Sequence, residues 1–170
     1  FLAMRTQQSP LLATAAHLQM IPDALVYFLT GSRLCEQSVV STSLLYDPRR
    51  GQWCDEIFRL FDLPRSIMPA LVRPGTVVGD LSESVRLTTA LKSGTVILPC
   101  THDTASAMAA VPGEGDDWAF ISSGTWSTLG TLLDEPNTTD AAFAAGLCSE
   151  LTCGGFGLCK NLIGLWLLHQ

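Results

Sequence analysis

Residues 101–127, THDTASAMAAVPGEGDDWAFISSGTWS, decide how the chain is read. Just upstream, Thr95-Val96-Ile97-Leu98 is a continuous β-rich apolar run, the pattern of a strand buried on both faces of a parallel α/β sheet. Asp103 then opens a helix of small residues, ASAMAA, which another backbone can approach closely. Thr101-His102-Asp103 therefore falls at the carboxyl end of a strand, where open α/β sheets bind their ligands.

About twenty residues on, Trp118–Ser122 and Trp126–Leu133 read as two strands around Ser123-Gly124-Thr125, with Gly124 free to take a positive φ in the turn. Between helix and hairpin, Val111-Pro112-Gly113-Glu114-Gly115-Asp116-Asp117 has Pro, Gly and acids without apolar periodicity, which marks a linker. A domain boundary is expected there, with 1–111 before it, 112–117 as hinge and 118–170 after it.

Working outward, QMIPDALVYFLTG spans a helix: Leu18, Ile21, Leu25, Phe28 and Leu29 recur at helical spacing, Pro22 suits the first turn and Gly31 the position past the end. Its apolar stripe predicts a core-facing helix. Residues 7–17 look helical too, with His17 a surface or packing residue. Arg33–Ser43 reads as a short strand entering a loop or helix, and Glu36 on it as an exposed acid of a connecting segment rather than a ligand contact. Asp47-Pro48-Arg49-Arg50-Gly51 is a turn by its chemistry. Cys54–Leu63 and Ser84–Leu91 read as helices, Thr76–Leu81 as a strand, 136–145 as turn and short helix, and 146–160 as strand-like. Asn161–Gln170 reads as the start of a new apolar helix.

Composition bounds the partners. Of the 170 residues, 47% are hydrophobic and 15% charged, and no apolar run approaches the roughly 20 residues that span a bilayer. The net charge of −6 is spread along the chain without a Lys/Arg stripe, so neither nucleic acid nor an anionic membrane is an expected partner. Cysteines at 35, 54, 100, 148, 153 and 159 are spaced too irregularly for a CxxC pattern, and a zinc site from Cys148, Cys153, Cys159 and His169 is disfavoured. They read as reduced, mostly buried thiols of a cytoplasmic protein. Both ends are abrupt: Phe1-Leu2-Ala3-Met4 is no initiator or signal peptide, so the sequence reads as an internal piece of a longer chain.

The chemistry follows from the two motifs. A hydroxyl attacking a phosphoryl centre benefits from a carboxylate that takes its proton, and Asp103 has the right type and place; equally, an Asp there could serve only to N-cap its helix. His102 could orient Asp103 or contact a polyol hydroxyl. The Ser122-Ser123-Gly124-Thr125 turn offers N–H groups and hydroxyls to phosphate oxygens, although no GxxxxGK[ST] loop is present. A serine hydrolase is set aside, because there is no GxSxG elbow and the adjacent His102 and Asp103 would diverge.

THDTASAMAAVP, FISSGTWSTLG and KNLIGLWLL, with MIPDALVYFLTG, the ExSxxST stretch from Glu36 and PGTVVGDL in the same order, resemble the FGGY carbohydrate kinases and their rhamnulokinase branch. That resemblance spans nearly the whole chain. It implies an α/β fold of the actin-like, ribonuclease H-like ATPase type, with two domains flanking a cleft, sugar bound by the first and nucleotide by the second.

It further implies ATP with Mg²⁺ as cofactors, a sugar as the other partner, Asp103 as catalytic base, and His102, Thr104 and Asn161 beside the sugar. Gly124 and Thr125 would face ATP phosphate. His169 stands where relatives carry a nucleotide-facing Gln, and Val40 where they tend to carry Ala. L-rhamnulose is the implied sugar, with fuculose, xylulose, ribulose or a non-catalytic sugar-binding regulator as alternatives. The family's Asp-Gly-Thr phosphate loop and adenosine-binding segment are not among these residues, so this piece alone is not expected to be a competent kinase.

Overall fold

The computed structural model describes residues 1–115 and 117–168. Two short helices open the chain, α1 (Leu2–Thr6) and α2 (Pro10–Thr14), where a single helix is expected over 7–17; the break falls at Gln8, which takes φ 52°. Next comes α3 (Ile21–Thr30), with Pro22 in its first turn and Gly31 closing it at φ 80°, its N–H donating to the Tyr27 carbonyl.

The apolar stripe of α3 is not core-facing. Ile21, Leu25 and Phe28 are 79%, 60% and 69% exposed, and the buried residue of the helix is Asp23. The reason is polar. Asp23 Oδ2 accepts the Cys35 thiol at 2.7 Å and Oδ1 accepts the Glu36 N–H at 3.0 Å, which turns that side of the helix inward.

Strand β1 (Leu34–Glu36) runs straight into α4 (Gln37–Ser41) and pairs in parallel with β4 (Ala70–Val72). Between them lie the hairpin β2 (Tyr46–Asp47) and β3 (Gln52–Trp53), turned at Asp47–Gly51 as its chemistry predicts, then α5 (Asp55–Leu60) and a 3-10 turn at Arg65–Ile67. Cys35, Val40, Trp53, Phe58, Ile67 and Met68 form the core of this half, and Trp53 hands its indole N–H to the Pro69 carbonyl at 2.8 Å.

A two-stranded ribbon follows, β5 (Val77–Asp80) antiparallel to β6 (Thr95–Ile97), joined through α6 (Glu83–Thr89), which Ser82 caps. The run at 95–98 is therefore not a strand buried on both faces of a parallel sheet. Among the described residues it pairs with β5 alone, Ile97 is 57% exposed, and of the run only Leu98 at its end is buried.

Helix α7 (Asp103–Ala109) packs Ala105 and Met108 inward. The last part is one antiparallel sheet of β7 (Phe120–Ser123), β8 (Trp126–Leu133), β9 (Cys148–Leu151) and β10 (Phe156–Ile163), in the order β7-β8-β10-β9, with α8 (Asp140–Ala144) between β8 and β9. Asn161–Ile163 belong to β10, pairing with Thr128, Ser127 and Trp126, so the helix expected from Asn161 does not start there; a 3-10 turn follows at Leu165–Leu168. Eight strand pairings override the local helical spacing. Met108 lies on Gly157 of this sheet, where a Cβ would run into its thioether, and Met108, Phe120 and Cys159 make the second core.

Candidate active site

Asp103 does not cap α7. His102 occupies the N-cap position, no side chain caps the helix there, and the Asp103 carboxylate is 98% exposed. Its Oδ1 takes the Thr104 N–H at 2.7 Å and lies 3.6 Å from His102 Nε2. His102, Asp103 and Thr104 thus present one continuous polar edge.

That edge is held from beneath by Glu36. Far from being an exposed acid, Glu36 is fully buried: Oε2 accepts the Thr101 N–H at 2.9 Å and the Thr101 hydroxyl at 2.8 Å, while Oε1 accepts the Ser38 N–H at 2.7 Å and so caps α4. The Ser38 hydroxyl donates to the same carboxylate and accepts the His102 N–H at 3.2 Å. A buried carboxylate is tolerated only when donors surround it, and this one has four. The Glu-x-Ser spacing, an acid in the position of a helix cap, is the sequence signal for this role.

His102 faces Glu150 on β9, Nδ1 to Oε2 at 3.3 Å. Both lie in the wall of a cavity of about 730 Å³ whose lining includes Ser41, Tyr46, Asn137, Asp140 and Asn161. Asn161 Oδ1 accepts the Thr128 hydroxyl at 3.0 Å, which fixes its amide on the sheet. So His102 and Asn161, distant in sequence, share one cavity, and Asp103 stands beside His102. Glu150 carries little local signal: it lies two residues from Cys148, on the same face of a strand. Burial, with the Glu150 charge beside it, pushes the Cys148 thiol up to about 11.

The β7–β8 turn is built otherwise than expected. Gly124 does not take a positive φ; its N–H donates to the Trp126 carbonyl at 3.0 Å, and the carbonyls of Gly124 and Thr125 accept the N–H groups of Leu165 and Trp166. The turn is thereby pinned by the 3-10 segment after β10, and Thr125 remains exposed. His169 lies outside the described residues.

The cysteines of the zinc reading separate. Cys148 and Cys159 are cross-strand neighbours, whereas Cys153 sits against Cys100, sulfur to sulfur at 2.7 Å. Among the described residues no group of three His, Cys, Asp or Glu is placed to hold a metal ion, and no helix is long and apolar enough to cross a membrane.

Comparison with known proteins gives this geometry its context. The chain is 38% identical over 160 residues to a rhamnulokinase of Enterococcus faecalis, covering 94% of this chain and 32% of that protein. It is 37% identical over 158 residues to a rhamnulokinase of Lactiplantibacillus plantarum, covering 92% of this chain and 32% of that protein. A ligand-bound xylulose kinase from Lactobacillus acidophilus superposes with a TM-score of 0.78 at 15% identity, over 92% of this chain and 31% of that one. The chain spans about a third of the length of the relatives it matches, and its fold is the actin-like ATPase fold of those sugar kinases. The N-terminal-domain profile of the FGGY carbohydrate kinases matches residues 4–110, more than half of the sequence, and the chain belongs to that family.

Proposed function

We propose that the protein transfers the terminal phosphoryl group of ATP to a ketose hydroxyl, with L-rhamnulose phosphorylated at C1 as its reaction. The observation that carries this is the shared cavity: His102, at the N-cap of α7, and Asn161 on β10 line one space of about 730 Å³, and Asp103 stands next to His102. A sugar needs several fixed donors and acceptors around a small volume, and this lining supplies them.

In the reaction the Asp103 carboxylate takes the proton of the C1 hydroxyl as the new oxygen–phosphorus bond forms and the bond to ADP breaks. His102, Thr104 and Asn161 orient the sugar hydroxyls so that the attacking oxygen faces the phosphoryl group. Thr125, exposed on a turn whose carbonyls are already tied, is suited by its hydroxyl to a phosphate oxygen, with Gly124 keeping the turn tight. Mg²⁺ would neutralise phosphate charge as a partner of ATP; no ligand for it is assigned in this chain. Residues 1–111 then form the end of a sugar-binding domain, 112–117 the hinge and 118–170 the start of a nucleotide-binding domain, in a cytoplasmic enzyme.

The test is ADP release by the full-length protein with Mg²⁺–ATP and a panel of ketoses, beside its Asp103→Asn variant. Because the Asp103 side chain is 98% exposed, the substitution leaves the fold in place. Turnover with L-rhamnulose falling by about 10²- to 10⁴-fold is the expected result. A preference for fuculose, xylulose or ribulose would keep the mechanism and overturn the sugar; unchanged turnover in Asp103→Asn would overturn the base.

A further inference from the structure

Two buried polar atoms at the cavity wall are otherwise orphaned. His102 Nδ1 and Glu150 Oε2 have no hydrogen-bond partner among the described residues, yet they stand 3.3 Å apart, off line for a hydrogen bond by direction only. Their side chains are 24% and 15% exposed, so water does not readily replace the missing partner.

Both backbones are fixed. The His102 N–H is held by Ser38 Oγ and its carbonyl accepts from Ser106, while Glu150 pairs with Gly157 in the sheet and the next N–H, that of Leu151, donates to Ser41 Oγ at 3.1 Å. A small rotation of the imidazole completes the bond, and hydrogen bonds of this kind tighten when substrate is bound.

We infer that Glu150 is a positioning residue, accepting the Nδ1–H of His102 and so setting the ring plane that holds Nε2 beside Asp103, toward the bound sugar. A neutral imidazole carries its proton on one nitrogen only, and the partner of that nitrogen selects the tautomer and the ring plane. The charged or titratable groups facing the ring are Glu150 at Nδ1 and Asp103 at Nε2, with the Cys148 thiol reaching Glu150 Oε1 at 3.5 Å from behind. No other group competes for Nδ1 among the described residues.

This inference rests on the sugar-kinase reading for its catalytic meaning, but its test does not. In the full chain labelled with ¹⁵N-histidine, a long-range ¹H–¹⁵N spectrum at a pH where the ring is neutral reads the tautomer directly, with His102 assigned by its loss in His102→Gln. The expected wild-type pattern is protonated Nδ1 and bare Nε2. Glu150→Ala should move the population toward protonated Nε2, and Glu150→Gln, whose amide oxygen still accepts, should restore the wild-type pattern.

In the kinase assay Glu150→Ala should lower kcat by roughly 10- to 100-fold with KM for the ketose nearly unchanged, and Glu150→Gln should recover most of it. Protonated Nε2 in the wild type, or an unchanged pattern in Glu150→Ala, overturns the inference. Should Glu150→Ala not fold, the wild-type and Glu150→Gln spectra decide it. Absence of turnover with every ketose in the wild type would instead count against the kinase reading, leaving the tautomer result standing.

Discussion

Glu36 holds Thr101 twice with one oxygen, at its N–H and at its hydroxyl, across 65 residues of sequence. The loop that delivers His102 and Asp103 is therefore seated on the end of β1 rather than on its own helix. Replacing Glu36 by Ala strands four donors in a buried place. A loss of about 3–5 kcal/mol in urea unfolding is expected, with Glu36→Gln, which keeps one acceptor oxygen, losing visibly less.

Asp23 makes stability depend on pH with a definite sign. Burial pushes its carboxyl above the ordinary carboxylate range, against the lowering effect of the bonds from the Cys35 thiol and the Glu36 N–H, and the Glu36 charge adds to the rise. A folded-state value above the unfolded one means that the native state binds the proton more tightly. The contribution of Asp23 is present in full below the ordinary range and is lost as pH rises through the raised value. Unfolding free energies measured from pH 4 to 8 should fall for wild type relative to Asp23→Asn. A difference that stays constant with pH would refute the assignment.

Cys100 and Cys153 are placed to form a bond on oxidation. Cys153 is exposed, whereas burial, reinforced by Cys153, pushes the Cys100 thiol up to about 12. With glutathione disulfide, the Cys153 thiolate attacks first and releases one glutathione, and the Cys100 sulfur then displaces the second to close Cys100–Cys153. Thiol titration should show two fewer free cysteines, and peptide mapping should show the cross-link; Cys153→Ser should abolish it. In that variant, alkylation of Cys100 should be slow and rise roughly tenfold per pH unit below its pKa.

Gly157 leaves room for Met108. Gly157→Ala should destabilise by about 1–3 kcal/mol through overpacking. In the double variant with Met108→Ala the added methyl should cost less than it does alone, a coupling that a double-mutant cycle in urea would measure.

What could be read from the sequence was local. Pro22 and Gly31 bracket α3, the Asp47–Gly51 turn follows from its turn chemistry, and ASAMAA falls on the helix that packs Ala105 and Met108 inward. What escaped was long-range. Glu36 looks like a loop acid because the Thr101 it holds lies 65 residues along the chain, and Glu150 acquires meaning only when β9 brings it to His102. The run at 95–98 has the composition of a central strand but finds one neighbour, and the Asn161–Ile163 stretch is short enough to suit helix or strand until β8 claims it. The stripe on α3 has helical spacing, yet the polar grip of Asp23 decides which side turns inward.

One strand also acts as a ruler. Asn161 sits opposite Thr128 on the β8–β10 ladder, and the same ladder ends at Trp126, next to Thr125. Three residue steps lead from Thr125 to Thr128, about 10 Å at the usual strand rise. The cavity end and the turn end of this sheet are consequently spaced by backbone hydrogen bonds, not by flexible side chains. A substrate that spans them must match a length the ladder sets, and a one-residue slip of β10 would turn the Asn161 amide to the opposite face while leaving every residue type in place.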